Sequence, residues 1–469
     1  MASDQEKEGV FKRILHAFYD KKEGPHYAYS KTGRMRVHNI TEPKTMRAIF
    51  RDMDHFSGIQ FVRKTFQKLI GSGLIMDEGE SWEAMHKILM PSFTPVAMEK
   101  NIAPIALDEC NKMIDRWEKQ GKIGDVEREM KDMTGRVIMR AIFSDTISEK
   151  DGQKIIDEIA FAMGGAKQPK GFDKIKRRLN IPYDHAGFLP PLARRIIGVN
   201  HDKPASVPKR FTEATKKVDE IIFRIIDERR ALKTQPDDIL GRLLLARKDG
   251  IPLTNQEVRD QALMVVVTGH ETTAEGMTFS LLELLKNPDK QKALRDEFNA
   301  VAKDGVLTGR DYNKLPKAQN SFKEALRMHP TVYMSTREVA ADCDLNGIHF
   351  KKHDIIRMDL RKVHKDAEYW TDPEAFRPER FEKDKFPQAY MPFGTGPRVC
   401  LGMNMSLMEG SLMLSQIFNR LEFTVDKLPS GEEFYFTTRP QGALDVSVTA
   451  RPQPVKKADP GSVPPPGAP

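Results

Sequence analysis

The chain has 469 residues, of which 39% are hydrophobic and 30% charged, and this balance predicts a soluble globular protein with a large core. No uninterrupted apolar run reaches the ~18 residues that a membrane-spanning helix needs, and the charged start MASDQEKEGVFKRILHAFYD argues against a secretory signal. Lys+Arg (75) exceed Asp+Glu (67), but the net charge of +8 forms no long basic run, so we expect no nucleic-acid partner. The three scattered cysteines predict a reducing, cytoplasmic location.

The first two thirds of the chain are predicted to be mostly helical. A short hairpin is expected over 27–40, where apolar and polar residues alternate around a Lys-Thr-Gly turn. From about Thr41 to Pro330, apolar residues recur at spacings of three and four, which is typical of helices packed on one face. The stretch 164–208 interrupts this pattern with Gly and Pro and is predicted to form loops.

The longest predicted helix runs over 254–285, between a capping-box pattern of Thr254 and Glu257 and a closing Asn-Pro pair. In its middle, VVVTGHETTAEG places Gly269 before Thr272, a combination that favours a local opening of the hydrogen-bond ladder. The alternative is a core helix whose threonine hydroxyls bond to carbonyls of the preceding turn.

The last third is predicted to consist of short strands and turns after Pro330, followed by a helix over 402–421. The terminal segment 453–469 is rich in proline and is predicted to be disordered.

A glycine-rich loop, PFGTGPRVCLG, places Cys400 just before that last helix. Backbone N–H groups and the helix dipole at a helix N-terminus favour a thiolate over a thiol. Glycines let the backbone approach a flat ligand closely, and Arg398 can pair with an anionic group. These properties suit an axial ligand of haem iron. Cys110 and Cys343 have no such setting and are interpreted as ordinary packed thiols.

The loop is similar to the signature of the cytochrome P450 family at all six fixed positions, which are Phe393, Gly394, Gly396, Arg398, Cys400 and Gly402. Further motifs follow the family's order along essentially the whole chain. The resemblance implies a mainly α fold with smaller β-sheets (α+β), in which haem b lies between the long central helix and the helix after Cys400. It also implies one domain over 1–452, with a β-containing part to about 80, a helical part to about 330 and a β/loop part that holds the cysteine loop.

The same resemblance assigns an ionic cluster and the contacts of the haem. Glu324-x-x-Arg327, with Arg380, resembles the family's Glu-Arg-Arg cluster and implies a structural role in holding the loops near the haem. Trp82 and His86 lie on a helix that faces the haem in the family, where an arginine is common at the second position. The implied cofactor-binding residues are Trp82, His86, Gly269, Arg337, Phe393, Gly394, Arg398 and Gly402.

The middle of the long helix resembles the family's oxygen-activating motif. By that resemblance, Thr272 supplies a distal hydroxyl and Glu271 an acidic partner, which together bring the protons needed to cleave dioxygen. Thr268 stands where the family usually has Ala or Gly, so it bears on the size and orientation of the substrate. The expected pocket residues are Val265, Thr268, Val332 and Met334, with further lining from the loops 55–78 and 160–210.

The implied activity is a monooxygenase that inserts one oxygen atom into a small apolar molecule. We expect a monomer that takes electrons from a ferredoxin or flavodoxin, which its reductase supplies from NAD(P)H, because no flavin domain or dinucleotide loop is visible. One alternative is a peroxide-dependent or isomerising haem-thiolate enzyme, although such members commonly alter the acid-threonine pair. An alternative of another class is a haem gas sensor or carrier without turnover.

Overall fold

The computed structural model describes residues 21–32, 35–58, 63, 67, 70–164, 209–382, 388–434 and 437–452. Its α-helices are α1 (Pro43–Arg51), α2 (Gly79–Leu89), α3 (Pro95–Ala97), α4 (Ala103–Gln120), α5 (Val126–Phe143), α6 (Glu149–Gly164), α7 (Lys209–Arg230), α8 (Ile239–Leu245), α9 (Asn255–Lys286), α10 (Pro288–Val301), α11 (Pro316–Met328), α12 (Leu360–His364) and α13 (Met403–Arg420). The loops predicted within 164–208 and the tail 453–469 lie outside the described residues, apart from residue 164 at the end of α6.

The strands form small sheets, and their order along the chain is β1 (Lys21–Gly24), β2 (Tyr27–Thr32), β3 (Met35–Ile40), β4 (Phe56–Ser57), β5 (Lys122–Ile123), β6 (Arg247–Lys248), β7 (Ile251–Pro252), β8 (Met334–Val339), β9 (Cys343–Leu345), β10 (Ile348–Phe350), β11 (Ile355–Asp359), β12 (Leu421–Lys427), β13 (Glu432–Phe434), β14 (Thr438–Pro440) and β15 (Asp445–Ala450). A six-stranded sheet has the order β1-β2-β3-β11-β8-β4. Smaller sheets pair β9 with β10, β13 with β14, β6 with β7, and β12 with β15 and β5.

The hairpin predicted over 27–40 is confirmed, because β2 and β3 pair antiparallel from Tyr27 opposite Ile40 to Thr32 opposite Met35. Strand β3 also pairs in parallel with β11, which joins the start of the chain to its last third. Val37 and Ile40 of β3 are both buried although they point to opposite faces of the strand, so β3 is covered on both sides.

Helix α9 is the central element and packs against α5, α11 and α13. Its predicted start is confirmed, since Thr254 and Glu257 form both hydrogen bonds of a capping box. The predicted end at residue 285 differs by one position from the observed Lys286. Between Val258 and Leu284 the helix is buried except at its midpoint, where the part-exposed residues are Thr268, Gly269, Glu271 and Thr272. A helix that is buried on all sides and accessible only at its centre serves as both core and site wall.

Helix α1 links the N-terminal third to the segment before the last helix. Arg47 donates to the carbonyl oxygens of Gln388 and Tyr390 at 2.7 and 3.1 Å, and to the Thr395 hydroxyl at 3.3 Å. These bonds satisfy backbone carbonyl oxygens in a segment that has no regular secondary structure, so α1 holds this segment in position. Within the described ranges, no helix is both long and apolar enough to cross a bilayer.

Candidate active site

The cysteine loop is shaped by backbone bonds and by two glycines with positive φ. The Cys400 N–H donates to the Phe393 carbonyl at 3.0 Å, which closes the loop, and the Met403 N–H donates to the Cys400 carbonyl at 3.2 Å. Gly394 and Gly396 have φ of 69° and 77°, a region that L side chains rarely adopt. A Cβ on Gly396 would lie 2.7 Å from the Phe50 carbonyl oxygen, so only glycine allows the loop to rest on the end of α1.

The Cys400 thiol is accessible on one side and surrounded by protein on the others. This burial raises the pKa of Cys400, and a hydrogen bond from the backbone of Gly402 only partly opposes it. The backbone N–H of Gly402 at the start of the helix favours the thiolate, but desolvation of the charged form has the larger effect. A metal cation deprotonates a thiol that it binds, so the iron itself would supply the missing stabilisation.

Two arginines lie beside the cysteine loop, and the Glu78 carboxylate attracts both of them. Arg398 donates to the Asp77 carbonyl at 2.6 Å and lies over the Trp82 ring at 4.7 Å. Arg337 lies over the Phe50 ring at 5.1 Å, and neither guanidinium forms an ion pair within the described part of the chain. Burial first, and repulsion from Arg398 second, lower the pKa of Arg337 to about 10. Two cations that repel each other in a partly buried place fit an anionic ligand.

The aromatic pair predicted on α2 lies next to these arginines. Trp82 is buried, and its ring stacks on the part-buried His86 ring with centroids 4.9 Å apart. Direct contacts therefore connect Trp82 with His86 and with Arg398, and charge repulsion connects Arg398 with Arg337. A cationic and hydrogen-bonding group of this kind would suit the two propionates of haem, and Cys400 would offer a thiol to the iron.

On the midpoint of α9, both threonine hydroxyls bond to their own helix. Thr272 Oγ1 donates to the Thr268 carbonyl at 2.7 Å, and Thr268 Oγ1 donates to the Met264 carbonyl at 2.8 Å. The helix is continuous here, so the predicted opening of its hydrogen-bond ladder is wrong and the alternative of back-bonded threonines describes the structure. The reason is that the hydroxyls occupy the carbonyls without displacing the backbone bonds.

Gly269 faces Ile138 of α5. A Cβ at this position would lie 3.0 Å from Cδ1 of Ile138, so a larger residue would require that side chain to shift. Its predicted contact with the cofactor stays a prediction.

The predicted pocket residues differ in exposure. Val265 is buried, Val332 is 39% exposed, and the Met334 sulfur accepts a hydrogen bond from Arg357 Nε at 3.4 Å.

The structure brings Glu324, Arg327 and Arg380 together in one buried cluster. Arg327 donates to both carboxylate oxygens of Glu324, at 2.8 and 2.9 Å, and Arg380 Nε donates to Glu324 at 2.9 Å. The remaining donors of Arg327 bond to the carbonyl oxygens of His364 and Ala375. Every charged group in this cluster has a partner, as burial requires.

The sequence analysis missed a second cluster, between α5 and α9. Lys131 Nζ lies 2.9 Å from Glu275 Oε1 and 3.8 Å from Glu271 Oε1, and it also contacts the Glu127 carboxylate. Burial lowers the pKa of Lys131, but the three carboxylates raise it by more than burial lowers it, so the net shift of the pKa is upward. A signal for this cluster was present, since Glu271 and Glu275 are four residues apart on one helix and repel each other unless a cation lies near them.

Comparisons with known proteins agree with this geometry. The sequence profile described as Cytochrome P450 matches residues 6–444. The chain belongs to the cytochrome P450 family. It is a cytochrome P450 monooxygenase that holds haem, and its fold is that of the family, as the resemblance in the cysteine loop implied.

Among curated P450 relatives, cytochrome P450 72A68 of Medicago truncatula is 27% identical over 83% of this chain and 74% of its own length. Cyclooctat-9-en-7-ol 5-monooxygenase of Streptomyces melanosporofaciens is 26% identical, with 83% of this chain and 81% of its own length covered. A solved structure titled retinoic acid bound cyanobacterial CYP120A1 has a TM-score of 0.74 at 22% identity, over 91% of this chain and 92% of that chain, and shows the fold alone.

Proposed function

We propose that this P450 inserts one atom of dioxygen into a small apolar organic substrate and receives its electrons from separate proteins. The observation that carries the proposal is the position of two reactive groups on packed helices. The accessible Cys400 thiol precedes α13, and α13 packs against α9, whose only part-exposed residues between Val258 and Leu284 include Glu271 and Thr272. We infer that the cofactor lies between this thiol and the accessible stretch of the central helix, which carries the hydroxyl and the carboxyl.

Haem, when bound, supplies the activation of dioxygen and the insertion chemistry. The chain would supply Cys400 Sγ for the iron and hydrogen-bond donors for the propionates from Arg337, Arg398 and His86. Thr272 Oγ1 donates to the Thr268 carbonyl of its own helix at 2.7 Å. Its lone pairs can therefore accept a hydrogen bond from Glu271 or from a water. A hydroxyl whose lone pairs hold a water in place can order the water chain that brings protons into a mostly dry site.

An apolar substrate is supported by the pocket wall and by the relatives. Val265, Val332 and Met334 are apolar, and the Thr268 hydroxyl is already bonded within its helix. One relative is named for a monooxygenase reaction on cyclooctat-9-en-7-ol, and one similar structure holds retinoic acid. Titration of the ferric protein with a library of small molecules, followed by the haem Soret band, identifies the compounds that bind.

We propose a ferredoxin or flavodoxin as the electron donor, with a reductase that uses NAD(P)H. The acid-threonine pair is intact, which favours the dioxygen reaction over the peroxide-dependent alternative. Product that forms at the same rate with hydrogen peroxide alone as with an added redox chain would favour the alternative instead.

The thiolate assignment has a direct spectroscopic test. Carbon monoxide added to the reduced protein should give the long-wavelength absorption band typical of haem-thiolate proteins, and Cys400→Ser should abolish it. Cys110→Ser and Cys343→Ser are matched controls, because Cys110 is buried against the Met413 carbonyl and Cys343 lies in β9. Retention of the band in Cys400→Ser contradicts the assignment.

A further inference from the structure

A network of one cation and three carboxylates adjoins the acid-threonine pair. Helix α5 contributes Glu127 and Lys131, and α9 contributes Glu271 and Glu275. Glu275 is fully buried, whereas the side chains of Glu127 and Lys131 are each 18% exposed and that of Glu271 is 22% exposed. The network therefore extends from the edge of α5 to the residue that precedes Thr272 in sequence.

The helices are fixed to each other at this point, so the network is held in place. Thr134 Oγ1 donates to the His270 carbonyl at 3.1 Å, and His270 Nε2 contacts the Lys131 carbonyl at 2.9 Å. Gly135 permits the approach, because a Cβ there would lie 3.3 Å from the His270 ring. Burial lowers the pKa of His270, so it is a neutral member of this contact.

The charges of this network do not balance. With all groups ionised, one ammonium faces the carboxylates of Glu127, Glu271 and Glu275, which leaves an excess of negative charge. Among the described residues neither Glu275 oxygen has a well-oriented hydrogen bond, although Lys131 lies close to it. Burial, with repulsion from Glu127 and Glu271, raises the pKa of Glu275 well above its ordinary value despite Lys131. Of the three carboxyls, the buried one is therefore the most favourable place for a proton.

We propose that Glu127, Lys131, Glu271 and Glu275 form a proton-exchange cluster that resupplies Thr272, with Lys131 as the positioning residue. The proposal rests on the proposed function, because it gives a source for the protons that Thr272 delivers. Each proton that passes to Thr272 leaves the Glu271 carboxyl. The resulting carboxylate regains a proton from the Glu275 carboxyl, and Glu275 is reprotonated from water on the side of Glu127. Lys131 keeps its protons and turns toward whichever carboxylate is ionised, and no electron moves.

Infrared spectroscopy tests the proton store without any turnover. In the haem-loaded enzyme near neutral pH, Glu275→Gln should remove one carbonyl-stretch band of a protonated carboxylic acid that shifts in D2O. The variant is nearly isosteric and removes the buried charge, so we expect it to fold. Lys112→Met is the matched control, because Lys112 also bridges two carboxylates, Asp108 at 2.9 Å and Glu109 at 3.1 Å, but on α4.

Turnover tests the exchange. Glu275→Gln should lower the ratio of product to electrons by about 10-fold, less than the ~10²–10⁴-fold of a direct proton donor, and should enlarge the solvent isotope effect. Lys131→Met alone leaves a buried carboxyl unpaired and can fail to fold, so the double variant Lys131→Met/Glu275→Gln is measured beside it. Lys131→Arg keeps the cation and should retain most of the coupling and the pH profile of the wild type.

Two outcomes separate the proposals. The proton-exchange cluster is overturned if the infrared band is absent. It is also overturned if Glu275→Gln has the same coupling and pH profile as Lys112→Met. In either case the proposed function stays intact when Thr272→Ala still uncouples. Absence of the carbon monoxide band from the wild type contradicts the proposed function itself, whereas full coupling in Thr272→Ala contradicts only the role of Thr272 in it.

Discussion

Two networks of buried charge, the Glu324 cluster and the Lys131 cluster, differ in how their charges are matched. In the first, one carboxylate receives two guanidiniums, and the remaining donors of Arg327 reach backbone carbonyls. In the second, one ammonium is shared by three carboxylates, and Glu275 lacks a well-oriented hydrogen bond among the described residues. The first network resists any change of protonation, because each charge holds the others in place. The second can gain or lose a proton at small cost, since it begins with excess negative charge.

A buried carboxyl with no partner extends this comparison to its limit. Glu409 on α13 is buried, its Oε1 has no hydrogen bond among the described residues, and burial raises its pKa to about 8. An acid with a raised pKa stabilises the fold fully below its unfolded pKa of 4.5, and this stability is lost as pH rises toward 8. As pH rises from 4.5 to about 8, the free energy of unfolding of Glu409→Gln should therefore increase relative to that of the wild type by up to about 5 kcal/mol, at 1.36 kcal/mol per pH unit.

The measurement for Glu409 is the free energy of unfolding of both proteins at a series of pH values. Glu83→Gln controls for the substitution, because Glu83 is exposed on α2. A difference between wild type and Glu409→Gln that does not change with pH would show that Glu409 is solvated or paired.

Removal of one member of the Glu324 cluster should change the free energy of unfolding by nearly as much, but in the opposite direction. Arg327→Met leaves Glu324 buried with Arg380 as its remaining cation, and a broken buried pair typically costs about 3–5 kcal/mol. We expect lower unfolding free energy and poor haem retention, measured by denaturant titration and by the haem-to-protein ratio. Arg377→Met is the control, since Arg377 is exposed and pairs with Asp372 in the same loop. Equal stability of the two variants would mean that the cluster is not structural.

The distal hydroxyl should affect chemistry and leave folding unchanged. Thr272→Ala should lower product formation by about 10²-fold, at the lower end of positioned proton transfer because water can partly replace the hydroxyl. Electron uptake should fall less than product does. Thr278→Ala is the control, because Thr278 donates to the Ala274 carbonyl at 2.8 Å in the same helix but is buried. Equal coupling in both variants would make Thr272 an ordinary back-bonded residue.

The smallest effect is expected at the surface, where charges are screened. Lys87 is exposed on α2 next to His86, and we expect Lys87→Glu to slow reduction by an acidic ferredoxin or flavodoxin a few-fold at low salt. Stopped-flow reduction at rising ionic strength should bring the variant and wild type together. Lys352→Glu, in the exposed turn after β10, is the control. Rates that are indifferent both to salt and to Lys87→Glu would remove this surface from the docking site.

Local patterns predicted the elements well, because their causes lie within a few residues. The capping box at Thr254 and the glycines before Cys400 are signals of this kind, and both are found where the sequence placed them. The partners of charged groups were harder to predict from the sequence. Lys131 lies about 140 residues before Glu271 and belongs to no motif, so only the packing of α5 on α9 brings them together.

Protonation was harder still to predict, since it depends on burial from all sides. The thiol of Cys400 illustrates this, because the helix N-terminus visible in the sequence favours the thiolate and the surrounding protein opposes it. The continuous backbone at Thr272 is a second case, in which a side-chain bond coexists with the helix that it was expected to open.

The support of the cysteine loop by α1 has a consequence for the order of folding. Gly396 rests on the Phe50 carbonyl, and Arg47 holds Gln388 and Tyr390, although these partners are separated by more than 300 residues. Contacts of such high sequence separation form slowly, because a long chain segment must first be closed. On a ribosome α1 is made long before the loop that rests on it. We therefore expect haem capture to follow the synthesis of the cysteine loop and α13, and a truncation before α13 to give a protein that does not hold the cofactor.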